Sequence, residues 1–256
     1  MLHHPGTPVC TVIIPAYNCE ATIEQTLRSV LNQTVRDLHV LLIDDSSTDR
    51  TVERAEQVAQ GDSRLEILQN EQNLGVAGTR NRGIDRARSP FIAFLDADDI
   101  WVRDKLARQL AQLDRTKAGL CYTAYALIDH AGNPLGKTYH VPPAAGYQDL
   151  LRQNVIGLST VLLRADSIGS LRMNEKYFHE DYEFWLNLLR RGCRATGLNA
   201  PLVFYRLGGR SENKLLAAKN RWLVYRRSQQ LAFLPACKYM AFYTYHGLRK
   251  FGGSGL

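Results

Sequence analysis

Over the first hundred residues, short apolar runs alternate with stretches whose apolar positions recur every three or four residues. Residues 9–15 (VCTVIIP) have the length and β-branched content of a buried strand. That run breaks at Pro15-Ala16-Tyr17-Asn18, after which Ile23, Leu27, Val30 and Leu31 fall on one face of a helix. The arrangement repeats. Residues 38–43 (LHVLLI) predict a second strand, which runs into Asp44-Asp45-Ser46-Ser47-Thr48-Asp49 ahead of a helix over residues 51–59. Ser47 or Thr48 is the expected cap of that helix, and Asp49 suits its positive end. Residues 65–68 are the third expected strand, 77–87 the helix after it, 91–95 the fourth strand and 104–113 a further amphipathic helix. Strands alternating with helices at this spacing predict an α/β fold, a mostly parallel central sheet flanked by helices.

Beyond this point the pattern loosens. Residues 118–128 and 159–163 predict strands, Gly132-Asn133-Pro134 a turn, residues 141–143 a loop and residues 147–153 a short helix. A helix opens near Phe178-His179-Glu180-Asp181, with Phe184, Trp185, Leu188 and Leu189 at helical spacing. Residues 211–228 are helix-compatible through Leu215, Ala218, Trp222 and Tyr225, and Pro235 is expected to interrupt. The chain divides on this reading into residues 1–115, residues 116–209 and a helical tail, residues 210–256.

Composition changes the picture in one place. The 256 residues carry 32 Lys or Arg and 25 Asp or Glu, a net charge of +7. Nine of those bases and one of the acids lie from Arg210 onward, leaving 23 bases against 24 acids before it. The excess positive charge is therefore a property of the tail. There, residues 238–251 interleave aromatics with Lys238, Arg249 and Lys250, a composition suited to an anionic membrane surface. No nucleic-acid-binding motif accompanies the charge. Five cysteines stand singly with no Cys-x-x-Cys pair, against a disulfide framework or a zinc site. The first residues lack the basic start and apolar core of a signal peptide, and no apolar run approaches the ~18 residues of a span, so a cytoplasmic protein is expected.

Candidate chemistry collects where the strands end, because open α/β sheets bind ligands beyond the carboxyl ends of their strands. Asp96, Asp98 and Asp99 crowd three carboxylates just past a buried strand, and their repulsion calls for a cation or a hydrogen-bonding ligand. Hard oxygen donors of this kind suit Mg²⁺ or Mn²⁺, ions that commonly also hold a phosphate. A solvated turn, with Asp99 capping the next helix, is the plainer reading of that triplet alone. Of the adjacent Asp44 and Asp45, only one need face the pocket. The third loop, Asn73-Leu74-Gly75-Val76-Ala77-Gly78-Thr79-Arg80-Asn81, adds glycines that admit close backbone approach and an Arg80 able to pair with a diphosphate.

VIIPAYN, LLIDDSSTDRT, NLGVAGTRNRG and FIAFLDADD, in this order and spacing, resemble the nucleotide-binding half of family 2 glycosyltransferases of the GT-A fold, tightly over residues 9–115. The resemblance implies that Pro15, Tyr17, Asn18 and Asp45 hold the nucleotide-sugar donor, with Arg80 near the ribose or diphosphate. It also implies that Asp96 contacts the nucleotide and Asp98 ligates the metal. In this family the Asp of a Glu-Asp pair four residues before a Trp supplies the catalytic base. Glu180, Asp181 and Trp185 match that pattern, which makes Asp181 the base and Glu180 a positioning or acceptor-contacting residue. His179 is expected to lie in an exposed loop rather than on the metal. A single base with no enzyme nucleophile implies in-line displacement with inversion. The tail and YTAYALIDHAGNPLG look similar to bacterial enzymes of capsule, exopolysaccharide or O-antigen synthesis. This implies a saccharide acceptor on a lipid diphosphate carrier and a place on the cytoplasmic face of the inner membrane. The Gln-x-x-Arg-Trp motif of polymerising relatives is broken, since Ala218 precedes Arg221-Trp222 where Gln would stand, which favours addition of a single sugar. A sugar-phosphate nucleotidyltransferase and a non-catalytic nucleotide- or carbohydrate-binding module are the alternatives. Pro15-Ala16-Tyr17-Asn18 lacks the Gly-rich basic loop of the former, and intact Asp98 and Asp181 argue against the latter.

Overall fold

The computed structural model describes residues 7–208 and 214–252. Arg210 lies outside them, and at Arg249, Lys250 and Phe251 the helical backbone is described but not the side chains. The first half builds β1 (Cys10–Ala16), α1 (Ile23–Leu31), β2 (Leu38–Asp44), α2 (Thr51–Ala59), β3 (Leu65–Gln69), α3 (Gly75–Arg86) and β4 (Phe91–Phe94). These four strands pair in parallel in the order β3-β2-β1-β4. The apolar runs are continuous because both faces of the sheet are covered. Val12 and Ile14 pack with Leu27 and Val30 of α1, while Ile13 between them packs with Ile84 of α3.

The sheet then continues through elements that the sequence pattern left faint. After β5 (Ile100–Trp101) and α4 (Lys105–Thr116) come β6 (Leu120–Ile128), β7 (Pro134–Tyr139), β8 (Ala144–Ala145) and α5 (Tyr147–Arg152). The expected strand over residues 159–163 is instead a 3₁₀ turn, Leu158–Thr160, followed by β9 (Leu162–Arg164). The short α6 (Ala165–Ile168), α7 (Glu180–Arg190) and the twelve-residue β10 (Ala195–Arg206) complete the layer. β9 runs antiparallel between β4 and β6, and β10 pairs parallel to β6, so one sheet carries both halves of the chain.

Two expectations at helix starts are corrected. Neither Ser47 nor Thr48 caps α2; Asp49 does the work, its Oδ1 accepting from the Thr51 amide (3.0 Å) and hydroxyl (2.6 Å). Pro235 does not interrupt a helix. It sits in the first turn of α9 (Phe233–Gly252), where a missing N–H costs nothing. Before it, α8 (Lys214–Leu223) passes into a π-helical turn, Val224–Ser228, and the pair packs back on the domain, with Val224 and Tyr225 fully buried.

α3 lies closer to the sheet than a side chain at its contact point would allow. A Cβ placed on Gly83 would stand 2.5 Å from Cγ2 of Ile13. Gly83→Val is therefore expected to lower stability by about 1–3 kcal/mol through overpacking, read as a fall in the urea unfolding midpoint.

Candidate active site

β1 and β4 are neighbours whose connections leave in opposite directions: β1 leads through α1 to β2, whereas β4 is reached through α3 from β3 at the far edge. A crevice at such a reversal is where open α/β sheets hold ligands. Pro15 and Tyr17 stand at the end of β1, with the Tyr17 ring 53% exposed, and Asp96 and Asp98 stand just past β4.

The polar loops around this crevice are tied to one another. Asn18 takes a left-handed backbone (φ 47°); its amide donates to Ser47 Oγ (2.9 Å) and its Oδ1 accepts from the Thr48 amide (2.9 Å). Asp45 is buried, and one carboxylate oxygen accepts from Asn70 Nδ2 (2.7 Å) and the Leu74 amide (2.8 Å). Asn18 and Asp45 thus fasten the β1 and β2 loops to each other and to the start of α3. Asp44 is equally buried; its Oδ2 accepts from the Ser47 amide, while its Oδ1 has no hydrogen-bond partner.

The three acids past β4 occupy three different environments. Asp99 is no helix cap. It is buried at 1% exposure, accepting from Ser159 Oγ (2.5 Å) and the Arg206 amide (3.0 Å), and burial, then Asp96 and Asp98, push its carboxyl well above the usual range. Asp98 is half-buried, and burial followed by repulsion from Asp96 raises it to about 6. Asp96 donates its backbone amide to Ser159 Oγ (3.1 Å), and its carboxylate pairs with Arg80 (2.5 Å).

Arg80 is the link between the halves. Its guanidinium, 4% exposed, forks to Asp96 on one side and to Glu180 at the start of α7 on the other. Arg80, expected near a ribose or diphosphate, thus has two carboxylates of the protein as partners. Glu180 is buried beside it. Asp181, the next residue, makes no ion pair with Arg80 among the described residues; burial raises its carboxyl, with the nearby Arg80 charge opposing. His179 precedes α7, its ring edge-on to Phe178 at 5.0 Å. Trp185 lies one turn further on, fully buried against Phe94 of β4.

Comparison with known proteins identifies the family and the fold. Residues 11–181 match the model of the family described as glycosyl transferase family 2. The chain belongs to glycosyltransferase family 2. It is 36% identical over 245 residues to TuaG of Bacillus subtilis, named for teichuronic acid biosynthesis, covering 95% of this chain and 97% of that one. It is 35% identical over 207 residues, 80% of either chain, to WfaP of Escherichia coli, named a UDP-Glc:alpha-D-GlcNAc-diphosphoundecaprenol beta-1,3-glucosyltransferase. Among solved structures, TarS of S. aureus in complex with UDP-GlcNAc superposes with a TM-score of 0.73 at 19% identity, over 94% of this chain and 72% of that one. The fold of the transferase is thus GT-A.

Three further residues organise the transferase's site, and two of them, Arg206 and Ser159, carried no signal in the sequence. Arg206, the last residue of β10, donates Nε to the Asp98 carbonyl (2.8 Å) and its amide to Asp99. Ser159 holds Asp96 and Asp99 together, and Arg221, at 7% exposure, stacks 3.5 Å over the Tyr182 ring of α7. Only the intact Arg221-Trp222 pair pointed to the last. Replacing Arg80 by Ala leaves Glu180 buried without its cation, so a loss of about 3–5 kcal/mol is expected in urea unfolding. Arg80→Lys is expected to fall between the two, retaining the charge but not the fork.

Proposed function

We propose that the transferase is an inverting, metal-dependent enzyme of bacterial surface polysaccharide synthesis. It moves a sugar from a nucleoside-diphosphate sugar, UDP-linked, to a saccharide carried on a lipid diphosphate. The Arg80 bridge carries the reading: it draws the Glu180-Asp181 start of α7 against the Asp96-Asp98 loop, so that a base and a diphosphate-binding edge share one crevice. The relatives support the donor and acceptor classes, since WfaP is named for a UDP sugar and a diphosphoundecaprenol-linked saccharide.

In this reading Asp181 takes the proton of the acceptor hydroxyl as that oxygen attacks the anomeric carbon. Glu180, pinned by Arg80, fixes the first turn of α7 and with it the direction of the base. Burial keeps the site's interactions strong, and the Arg80 charge keeps Asp181 from rising further. Tyr17, exposed at the end of β1, offers a ring face to a nucleotide base, and Pro15 shapes the floor beside it.

The donor set fits a Mg²⁺ or Mn²⁺ ion. Among the described residues no three His, Cys, Asp or Glu side chains form a closed metal cage. These ions, however, are commonly held by one or two carboxylates together with substrate phosphates. The repulsion that raises Asp98 is what a cation beside it relieves. Asp98 would hold the ion, with Asp96 turned toward the nucleotide. When bound, the ion neutralises charge on the departing diphosphate.

Calorimetric titration with UDP-, GDP- and dTDP-linked sugars, with Mn²⁺ and then with EDTA, tests the reading: metal-dependent binding of UDP sugars is expected, and turnover with no nucleotide sugar would overturn it. Asp181→Asn is expected to abolish turnover while donor affinity is kept. Because burial raises Asp181, the wild-type kcat is expected to fall with decreasing pH above the range of an exposed carboxylate, the protonated acid being unable to accept a proton. Asp98→Ala is expected to remove the Mn²⁺ dependence of donor binding in the same titration.

A further inference from the structure

The turn between the π-helical segment and α9 leaves hydrocarbon in water. Leu231, Ala232, Phe233, Leu234 and Pro235 follow one another without a polar residue, and Phe233 is 61% and Leu234 77% exposed. A contiguous apolar surface of this kind marks a contact site. It continues along the helix, where Leu234, Lys238, Ala241 and Tyr245 recur at steps of four, three and four and are all exposed. Two of the aromatics expected to make the surface, Tyr239 and Tyr243, are instead turned inward. Tyr239 packs against Tyr225 (6.1 Å between ring centres), and Tyr243 lies 4.9 Å from the Arg221 guanidinium.

Cations surround the apolar turn. Arg226 donates from its guanidinium to the Leu231 carbonyl, which holds its charge at the turn itself. Arg227 follows, lining with Arg190, Arg191, Glu183 and Ser228 a polar cavity of about 270 Å³. No Asp or Glu occurs anywhere between residues 216 and 245. Two copies meeting through this face would therefore oppose like charges, a costly juxtaposition.

We propose that this face docks on an anionic lipid bilayer. Phe233 and Leu234 enter the boundary between headgroups and acyl chains, Tyr245 lies at headgroup level, and Arg226, Arg227 and Lys238 meet the lipid phosphates. The proposal deepens the reading of a lipid-linked acceptor by naming the surface that meets the membrane. It moves the contact from the far end of the tail to the turn that opens α9.

The test is co-sedimentation of the full chain with phosphatidylglycerol–phosphatidylcholine vesicles and with phosphatidylcholine vesicles alone. Binding to the anionic vesicles that weakens with salt is expected. Substituting Phe233→Ser and Leu234→Ser together should reduce that binding by at least about tenfold, with the unfolding midpoint and UDP-sugar affinity unchanged. Lys238→Glu should steepen the loss on anionic vesicles only. Undiminished binding by the double variant overturns the proposal, as does binding indifferent to lipid charge. A wild-type dimer that the double variant splits, without vesicle binding, overturns it in favour of a second copy. Transfer to a water-soluble acceptor analogue, assayed in parallel, separates the two readings: retained transfer with no vesicle binding removes this inference alone, and absent transfer removes the proposed activity.

Discussion

A guanidinium held between two carboxylates, away from water, governs the geometry of this transferase. Arg80 alone in the interior would carry a desolvation penalty of several kcal/mol, and so would Glu180. Their pairing, with Asp96 as the second acceptor, offsets much of that, because the planar fork offers donors in two directions at once. Each partner belongs to a different element: α3, the loop after β4 and the first turn of α7. Their positions are therefore coupled. Gly83, three residues along α3 from Arg80, lets that helix settle onto Ile13, which sets how deep the guanidinium lies.

The acidic loop shows how one short run can be divided between folding and chemistry. Asp99 is sealed under Ser159 and the end of β10, where it orders the chain rather than touching a ligand. Asp96 is half neutralised by Arg80. Asp98 is left with burial and a like charge for company, and its carboxyl rises accordingly. Arg206, reaching in from the opposite end of the chain, grips the backbone of Asp98 and fixes where that carboxylate stands. The repulsion in the loop is thus met in part by two arginines of the protein, and what is left over sits on Asp98.

Much of this was legible in the residues and some was not. The first four strands and their helices were readable because each apolar run is local and each switch from a continuous run to period 3.6 falls within a few residues. The acids past β4 and the Glu180-Asp181 pair stood out for the same reason. β10 did not, because Gly197, Asn199 and Pro201 break its apolar pattern where it shifts register against β6. β9 is only three residues long, too short to show a period. Arg80 could be singled out but not its partners, since Glu180 lies 100 positions away and nothing in either neighbourhood names the other. Arg206 and Ser159 act through backbone groups and a neighbour's carboxylate, which no spacing records. The inward turn of Tyr239 and Tyr243 likewise depends on where Arg221 and Tyr225 lie, not on the composition of the tail.

The separations spanned by the Arg80 fork, 16 residues to Asp96 and 100 to Glu180, bear on how the protein comes into being. The first three strands pair through connections of a few dozen residues, β4 joins β1 across a longer span (Cys10 opposite Phe91), and the second arm of the fork waits for a loop of 100 residues to shut. During synthesis the donor-side layer can form while Arg80 has only one of its two acids, a state with an incompletely paired cation at its heart. The arrival of α7 both completes the charge balance and delivers the Glu-Asp pair, so maturation of the interior and assembly of the proposed reactive centre are one event.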